Sequence, residues 1–419
     1  MSDTERTIAF LTSKWTNVDE NIRQGITPGG VPSISKAWTI FNKHGWNVHV
    51  FIMTDLESEF PAQTVELEGV TFHWLDNSLG NIRRLQGLKK LLHFFKLLTI
   101  LRKIKMIKTI KKTGIKPDII YCMRDTFAWM GLLWSVFVKA RCVLRMYGTF
   151  VYDIWFEKKN NLFDRIKTIP ELITYKLPFD HIIITNDGTQ GDKVAEWMKV
   201  NKKIFWFPIN GVDKNLYIRD FDAISFKEKI GVPKTSPMLL LLGRLTYWKR
   251  QDRVVKAMPT ILKKYPEAKL VIVGKGELRE DLEILTNELG LSESVLFYGA
   301  ILHKQIKYFF NASDIFIMPY DVSNLSNTLI ESLIAGCCVL TRDVGSTTEV
   351  VSDGENAVVL SPGETEEFAE AIIDLLGNPD KRRILSKNAY ETAMERFSTW
   401  DERMEEEYNL ISNLVNNFD

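Results

Sequence analysis

A chain of 419 residues exceeds the size at which one hydrophobic core stops growing, so two domains of about 200 residues each are expected. Apolar residues make up 45%, enough for substantial cores, and 54 basic residues against 53 acidic ones leave a net charge of +1. That balance removes any global electrostatic case for nucleic acid. Cys122, Cys142, Cys337 and Cys338 sit in apolar contexts without metal-ligand spacing, and no uninterrupted apolar run reaches membrane-spanning length. A reduced, cytoplasmic setting is expected, with no metal.

The chain opens with a strand at TIAFLTS and a polar loop through GITPGGVPS. Gly29 and Gly30 precede Pro32 and a helix, SISKAWTIFNKHG, that stops at Gly45. The two glycines either make a tight turn or let the backbone approach a ligand. NVHVFIM is the next strand, and VELEGVTFHWL reads as short strands turning at Gly69. From Arg83 to Lys116 there are twelve Lys or Arg and no Asp or Glu, with Leu, Ile and Phe at helical spacing. Two readings stand for residues 83–116. In one, a basic amphipathic helix rests on an anionic membrane surface, with Phe94, Phe95 and Leu98 below the headgroups. In the other, the apolar stripe packs on a sheet and the lysines are a solvated face.

PDIIYCM is a strand, TFAWMGLLWSVFVKA a helix, and CVLRMYGTF a strand and loop that bring Tyr147 and then Asp153 to a sheet edge. FDHIIITND, DKVAEWM and KIFWFPING continue as strand, helix and strand. Such alternation predicts an α/β fold with a doubly wound parallel sheet. The second half starts afresh with MLLLLGRL, apolar throughout as a central parallel strand should be. VIVGKGEL and VLFYGA follow as strands ending in glycine turns at Gly274, Gly276 and Gly299.

Pro319 to Thr341 is the stretch around which the rest is organised. IFIMP is a buried strand, a loop rich in Ser and Asn follows, TLIESLIAG is a helix beginning near Thr328, and CCVLT is the next strand. A helix start at the carboxyl edge of a parallel sheet offers backbone N–H groups to a phosphate. Glu331, one turn inside, is placed to hydrogen-bond a sugar hydroxyl, or else is a solvated residue on a capped helix. Gly243, Arg244 and Lys249 in GRLTYWK add a forked donor and a mobile point charge suited to a diphosphate. Two Rossmann-like domains with a cleft between them are the expected architecture.

In their order, GGVPSISKAWTIFNKHGWNVHVF, FPINGVD, GRLTYWKRQD, VIVGKGELREDLE, VLFYGA, ASDIFIMPYDVSNLSNTLIESLIAGCCVL and VGSTTEVVSDGENAVVL resemble the family-4 retaining glycosyltransferases of the GT-B fold. The resemblance covers nearly the whole chain. It implies an acceptor-binding domain over residues 1–211, a nucleotide-sugar-binding domain over 212–395, and a helix over 396–419 that crosses back to the first domain. The implied donor is a nucleoside-diphosphate sugar, UDP or GDP, with no tightly bound cofactor. Its implied contacts are Gly29, Gly30, Gly243, Arg244, Lys249, Gly274, Gly276, Gly299, Ser323, Asn324, Leu325, Ser326, Asn327, Thr328, Leu329 and Glu331. Arg244 and Lys249 fall on the diphosphate, Thr328 and Leu329 on phosphate, and Glu331 on the ribose.

Three positions depart from the family pattern. Ser323 stands where a glutamate usually precedes Glu331 by eight residues, Tyr147 stands where a histidine is frequent, and Ser346 replaces a second glycine. A tyrosine donates a hydrogen bond but does not become charged as a histidine does. In the family's same-face transfer the leaving phosphate can take the acceptor proton, so a strong protein base is not required. Arg244 and Lys249 then stabilise the departing diphosphate without a metal, and Tyr147 and Asp153 are candidates for orienting the acceptor. The leading expectation is an enzyme transferring a sugar to a glycan or lipid-linked acceptor in surface polysaccharide or glycolipid synthesis, peripheral at the inner face of the plasma membrane. The alternative is a catalytically degenerate protein of the same fold that binds a nucleotide sugar or a partner in an assembly or regulatory role.

Overall fold

A computed structural model describes residues 6–15, 18–26, 32–54, 64–76, 97–157, 162–322 and 325–416. Gly29, Gly30, Ser323, Asn324 and the basic stretch 83–96 lie outside the described residues. The chain divides into two compact units. The first combines residues 1–185, 191–208 and 400–419, and the second combines 186–190 with 209–399.

In the first unit the order is β1 (Thr7–Ser13), α1 (Val18–Arg23), α2 (Pro32–Lys43), β2 (Asn47–Thr54), β3 (Thr64–Leu67), β4 (Val70–Asp76), α3 (Leu97–Lys112) and β5 (Ile119–Met123). Then come α4 (Ala128–Val138), β6 (Arg141–Met146), α5 (Leu162–Thr174), β7 (His181–Ile184), α6 (Gly191–Trp197) and β8 (Phe205–Trp206). They form an eight-stranded sheet of order β3-β4-β2-β1-β5-β6-β7-β8, antiparallel between β3 and β4. Strand period sends alternate side chains to opposite faces. Ile8 and Phe10 of β1 join α1 and α2 in one core, while Ala9 and Leu11 join α3, α4 and α5 in the other. The β3–β4 hairpin turns on Glu68 and Gly69, both at positive φ (50° and 77°), the conformation a two-residue hairpin requires. The strand expected over KIFWFPING is only two residues long, because Pro208 has no N–H to continue the edge ladder.

Helix α3 packs Met106, Ile107 and Ile110 on the sheet and leaves Lys108, Lys111 and Lys112 exposed. Over these turns the apolar stripe is core. Phe94 and Phe95 lie outside the described residues, as does the side chain of Leu98. No described helix is long and apolar enough to cross a membrane.

The second unit runs α7 (Ala223–Lys229), β9 (Met238–Leu242), α8 (Gln251–Lys264), β10 (Lys269–Val273), α9 (Arg279–Glu288), β11 (Val295–Gly299) and α10 (Ile306–Ala312). It continues through β12 (Ile315–Met318), α11 (Asn327–Ile334), β13 (Val339–Arg342), β14 (Val358–Leu360), α12 (Thr365–Gly377) and α13 (Pro379–Arg396). Its six strands pair in parallel in the order β11-β10-β9-β12-β13-β14. β9 alternates as β1 does, with Met238 and Leu240 on one core face and Leu239 and Leu241 on the other. The strand order reverses between β9 and β12, and the crevice outside such a switch point is where open α/β sheets bind ligands.

The last helix, α14 (Trp400–Asn416), belongs to the first unit. Trp400, Met404 and Ile411 enter the core beside α2. Glu405 pairs with Lys43 at 2.9 Å and His44 at 2.8 Å, and Tyr408 stacks on His44. Glu407 is fully enclosed, accepts a short hydrogen bond from Tyr121, and pairs with Arg403 at 2.7 Å and Arg145 at 3.6 Å. The expected return of the C-terminal helix to the first domain is thus fixed by named contacts.

Candidate active site

The loops that follow β9 and β12 flank the switch point of the second unit. After β9 the chain passes Gly243 at φ 150° and reaches a tight turn over Tyr247–Lys249. The Arg244 side chain is exposed, while its carbonyl is held by Gln251 Nε2 at 2.9 Å. Lys249 is different, with only 6% of its surface exposed. Its Nζ lies 3.5 Å from the centroid of the Tyr320 ring and 4.5 Å from that of Trp248. Among the described residues no carboxylate comes within ion-pairing distance. Burial foremost, with the Arg244 charge adding to it and Asp187 opposing, pushes the Lys249 ammonium well below the usual lysine range. A cation that is buried, stripped of water and supported only by aromatic faces calls for an anion.

The loop after β12 is anchored before it opens. Asp321 donates its N–H to the Trp248 carbonyl at 2.9 Å and accepts from three arginines. Arg250 contacts it at 3.0 Å, Arg253 at 2.7 Å, and Arg342 closes the set. Arg253 and Arg342 also reach Glu364, and Arg253 Nη1 bonds the Pro319 carbonyl at 3.0 Å. The arginines hold the Asp321 carboxyl below its usual range against the effect of burial. This network ties the loop carrying Lys249 to the loop leading into α11.

At the start of α11, Ser326 is extended at φ −85° and ψ 159°, and its side chain caps nothing. Among the described residues its buried hydroxyl finds no partner, nor does the Asn210 side-chain oxygen, while Asn210 Nδ2 holds Asn327 Oδ1 at 2.8 Å. The N–H groups of Leu329 and Ile330 turn back to the Ser326 carbonyl. Those of Asn327 and Thr328 are the first-turn donors that no helix satisfies internally. Leu325 and Leu329 send their side chains into the core. An anion at this helix start would meet unpaired N–H groups, a buried hydroxyl and the positive end of the helix dipole.

Glu331 is 7% exposed and is not solvated: His303 holds its Oε1 at 2.8 Å through Nε2. The hydrogen bond to Glu331 raises the His303 pKa, burial opposes it, and Asp213 reinforces it. With Oε1 engaged, Oε2 is the oxygen left to accept from a ligand hydroxyl.

The glycines have a structural reason of their own. A Cβ on Gly274 would sit 1.9 Å from the Gly243 carbonyl oxygen, and one on Gly276 would sit 2.2 Å from that of Leu245. The N–H of Gly243 goes to Val273 at 2.9 Å and that of Gly274 to Gly299 at 2.8 Å. The loops after β9 and β10 therefore meet backbone to backbone, a contact only glycine allows. Beyond β13, the Ser346 hydroxyl is buried and bonded by Gln190 at 3.2 Å.

In the first unit, Tyr147 follows β6. Its hydroxyl is buried with no partner among the described residues, its ring lies 4.8 Å from the Arg145 guanidinium, and burial raises its pKa. Asp153 is half-buried at the start of a wide helical turn, Asp153–Glu157. Arg124, absent from the sequence-based candidates, follows β5 at φ 123°, a strained position, with its guanidinium 5.6 Å from the Trp15 ring. It stands beside this sheet's own switch point, between β1 and β5. His303 and Asp321 were also missed. Their partners are distant in sequence, and the one available signal was that Asp321 adjoins the Ser/Asn loop.

Two doubly wound sheets, parallel but for the β3–β4 pair, with Arg244 and Lys249 after the central strand of the second, have the GT-B architecture. The Anabaena protein HepE, solved with UDP and glucose, superimposes with a TM-score of 0.70 over 98% of this chain and 99% of its own, at 17% identity, a likeness that shows the fold. More narrowly, residues 222–392, within the second unit, match the family model for glycosyl transferases group 1. An uncharacterized glycosyltransferase of Methanocaldococcus jannaschii is 29% identical over 208 residues, 50% of this chain and 53% of that protein. A GDP-mannose-dependent alpha-(1-6)-phosphatidylinositol monomannoside mannosyltransferase of Mycolicibacterium smegmatis is 29% identical over 177 residues, 40% of this chain and 46% of that protein. The matched segment thus spans about half the length of these curated relatives.

Proposed function

We propose that the chain is a retaining, metal-independent glycosyltransferase of family 4. It moves a sugar from a nucleoside-diphosphate sugar to a hydroxyl of a glycan or lipid-linked acceptor in glycolipid or surface polysaccharide synthesis. The observation that carries this reading is Lys249, a buried cation with no carboxylate within ion-pairing distance among the described residues, in a turn that the Asp321 N–H ties to the loop leading into α11. Arg244 and Lys249 take the diphosphate, the N–H groups of Asn327 and Thr328 take phosphate oxygens, and Glu331, held by His303, accepts from the ribose. Gly243, Gly274, Gly276 and Gly299 shape the floor of the donor site, and Ser323 to Ser326 border the sugar. Tyr147 and Asp153 serve the acceptor on the first unit, and Gly29 and Gly30 keep the role near the donor phosphates and acceptor that the family resemblance implies.

In the transfer, the bond from sugar C1 to the diphosphate oxygen breaks while the acceptor oxygen bonds C1 on the same face. The acceptor proton passes to the departing diphosphate, whose growing charge Arg244 and Lys249 stabilise. UDP and GDP are the donor bases to compare: HepE was solved with UDP, and the mycobacterial relative is named for GDP-mannose. The test is a thermal-shift screen of UDP-, GDP- and ADP-sugars, followed by donor hydrolysis and transfer assays on Arg244→Ala and Lys249→Ala. Failure of every nucleotide sugar to shift melting would sink the reading. Binding without hydrolysis or transfer would leave the degenerate, binding-only role.

A further inference from the structure

We propose that the outer face of α4 and α5 in the first unit docks on an anionic lipid bilayer, with apolar side chains entering the headgroup boundary and lysines at its rim. This deepens the lipid-linked acceptor of the proposed function and rests on that part of it. It places the insertion on different residues from the basic helix α3.

β5, β6 and β7 are consecutive neighbours in the sheet, so the helices that connect them, α4 and α5, lie side by side on one face. Both contribute to the same core. From Ala128 to Val138 helix α4 contains no charged residue, and it is apolar on both sides. Met130 and Trp134 face the core, whereas Trp129, Leu133, Val136 and Phe137 are exposed, Val136 to 74%. Helix α5 continues the surface with Phe163 and Ile166, Phe163 being 64% exposed. A helix with no polar face is normally enclosed on all sides, so the exposed half of α4 wants a covering.

The chemistry of the rim selects the occupant. Ser135 is buried and returns its hydroxyl to the Leu132 carbonyl at 2.8 Å, which leaves the Trp129 indole N–H as the only side-chain hydrogen-bonding group among the exposed residues of α4, and an indole suits the headgroup boundary of a bilayer. Lys111 lies 3.3 Å over the Phe137 ring, Lys167 lies 4.3 Å over Phe163, and Lys108, Lys112 and Lys139 are exposed nearby. Of the two carboxylates of α5, Asp164 pairs with Lys167 at 3.1 Å and offsets that one lysine, while Glu171 turns inward to Thr149, with burial pushing its carboxyl up to about 7, so Lys108, Lys111, Lys112 and Lys139 keep the rim cationic. An apolar surface with aromatic residues and a cationic rim matches anionic headgroups over acyl chains.

The test is co-sedimentation of the full chain with vesicles of phosphatidylcholine containing phosphatidylglycerol, and with phosphatidylcholine alone. Binding is expected to the anionic vesicles, to fall as salt rises, and to drop at least tenfold in the double variant Trp129→Gln/Phe137→Gln. An environment-sensitive fluorophore on Val136→Cys should shift to the blue on binding. Nucleotide thermal shifts and donor hydrolysis are expected unchanged in the double variant, which shows it folded and separates this proposal from the donor-site reading. No binding to anionic vesicles would overturn the proposal, as would binding unaffected by the substitutions. Concentration-dependent self-association lost in the double variant, without vesicle binding, would show the face to be covered by a second copy instead.

Discussion

Replacing Lys249 by methionine should make the protein more stable and less able to hold its donor. Methionine has a similar unbranched shape, so the space between Tyr320 and Trp248 stays filled. The cation–π contact, about 0.5–2 kcal/mol, is lost, but so is the penalty of an ammonium that is 6% exposed and lacks a carboxylate. The net expectation is a gain of about 1 kcal/mol, of the kind seen when functional residues are replaced by well-packed ones. For a unit of this size that is a rise of about 2–4 °C in Tm. The same change removes a charge-assisted bond to phosphate, about 1.5–3 kcal/mol, or roughly 10- to 150-fold in Kd for the nucleoside diphosphate. The proton linkage has a definite sign. Lys249 has a folded-state pKa below its unfolded value, so above the folded pKa the unfolded chain binds the extra proton, and stability rises with pH up to the unfolded value. That rise should vanish in Lys249→Met. Diphosphate binding favours the ammonium, so binding at or above the depressed pKa takes up protons, which calorimetry in buffers of different ionisation enthalpy reads directly. A variant that melts lower than the parent and binds UDP or GDP unchanged would refute the reasoning.

His303→Ala should weaken nucleotide binding about tenfold and blunt discrimination against the 2′-deoxynucleotide, with His303→Gln restoring part of both through its amide donor; equal losses for ribo- and deoxynucleotide would refute the positioning role. Because Glu331 raises the His303 pKa, the stability this pair contributes is present below the unfolded pKa and is lost as pH rises through the folded one, as a urea-midpoint series in pH would show. Asp321→Asn leaves Arg250, Arg253 and Arg342 short of their shared acceptor and should cost about 3 kcal/mol in chemical denaturation, with donor affinity falling because the loop into α11 loses its anchor. Glu407→Gln removes the one carboxylate charge facing both Arg145, 1% exposed, and Arg403 of α14, at about 3 kcal/mol in a urea melt. The folded-state pKa of Glu407 is depressed, so this contribution is present above the unfolded value and disappears as pH falls through the folded one; an acid melt unchanged by Glu407→Gln would contradict it.

The fold was legible where local pattern and burial agree. MLLLL in β9 is buried up to Leu241 and IFIM in β12 along its length, as the apolar runs of central parallel strands should be. The turn at Gly69 and the stop at Gly45 follow from positive φ, which glycine adopts freely. The edge strand at Phe205 was overread because an apolar run says nothing of whether its N–H groups find a neighbour. In α3, periodicity alone allowed either a membrane face or a core face, and contact with the sheet chose the core for Met106, Ile107 and Ile110.

The site was legible in its parts and not in its energetics. Arg244, Lys249 and the start of α11 could be named because each follows a strand that ends at the sheet edge. Nothing local distinguishes Lys249 from Arg244, yet one is buried against Tyr320 and the other lies in solvent. That difference arises from Asp321, which gathers arginines from α8 and β13 and donates its N–H to the Trp248 carbonyl, fixing the turn that encloses Lys249. For Glu331 the sequence left a sugar contact and a solvated residue both open, and His303, 28 positions earlier, is the partner on its carboxylate that no local pattern shows. In both cases the residue that defines the chemistry is set by a partner from another crossover unit. The diphosphate grip is therefore a property of the β9–β12 junction rather than of either loop alone. A substitution at Asp321, which carries no ligand-binding role, should thus lower donor affinity through Lys249, and the double variant Asp321→Asn/Lys249→Met should lose less than the sum of the two single changes.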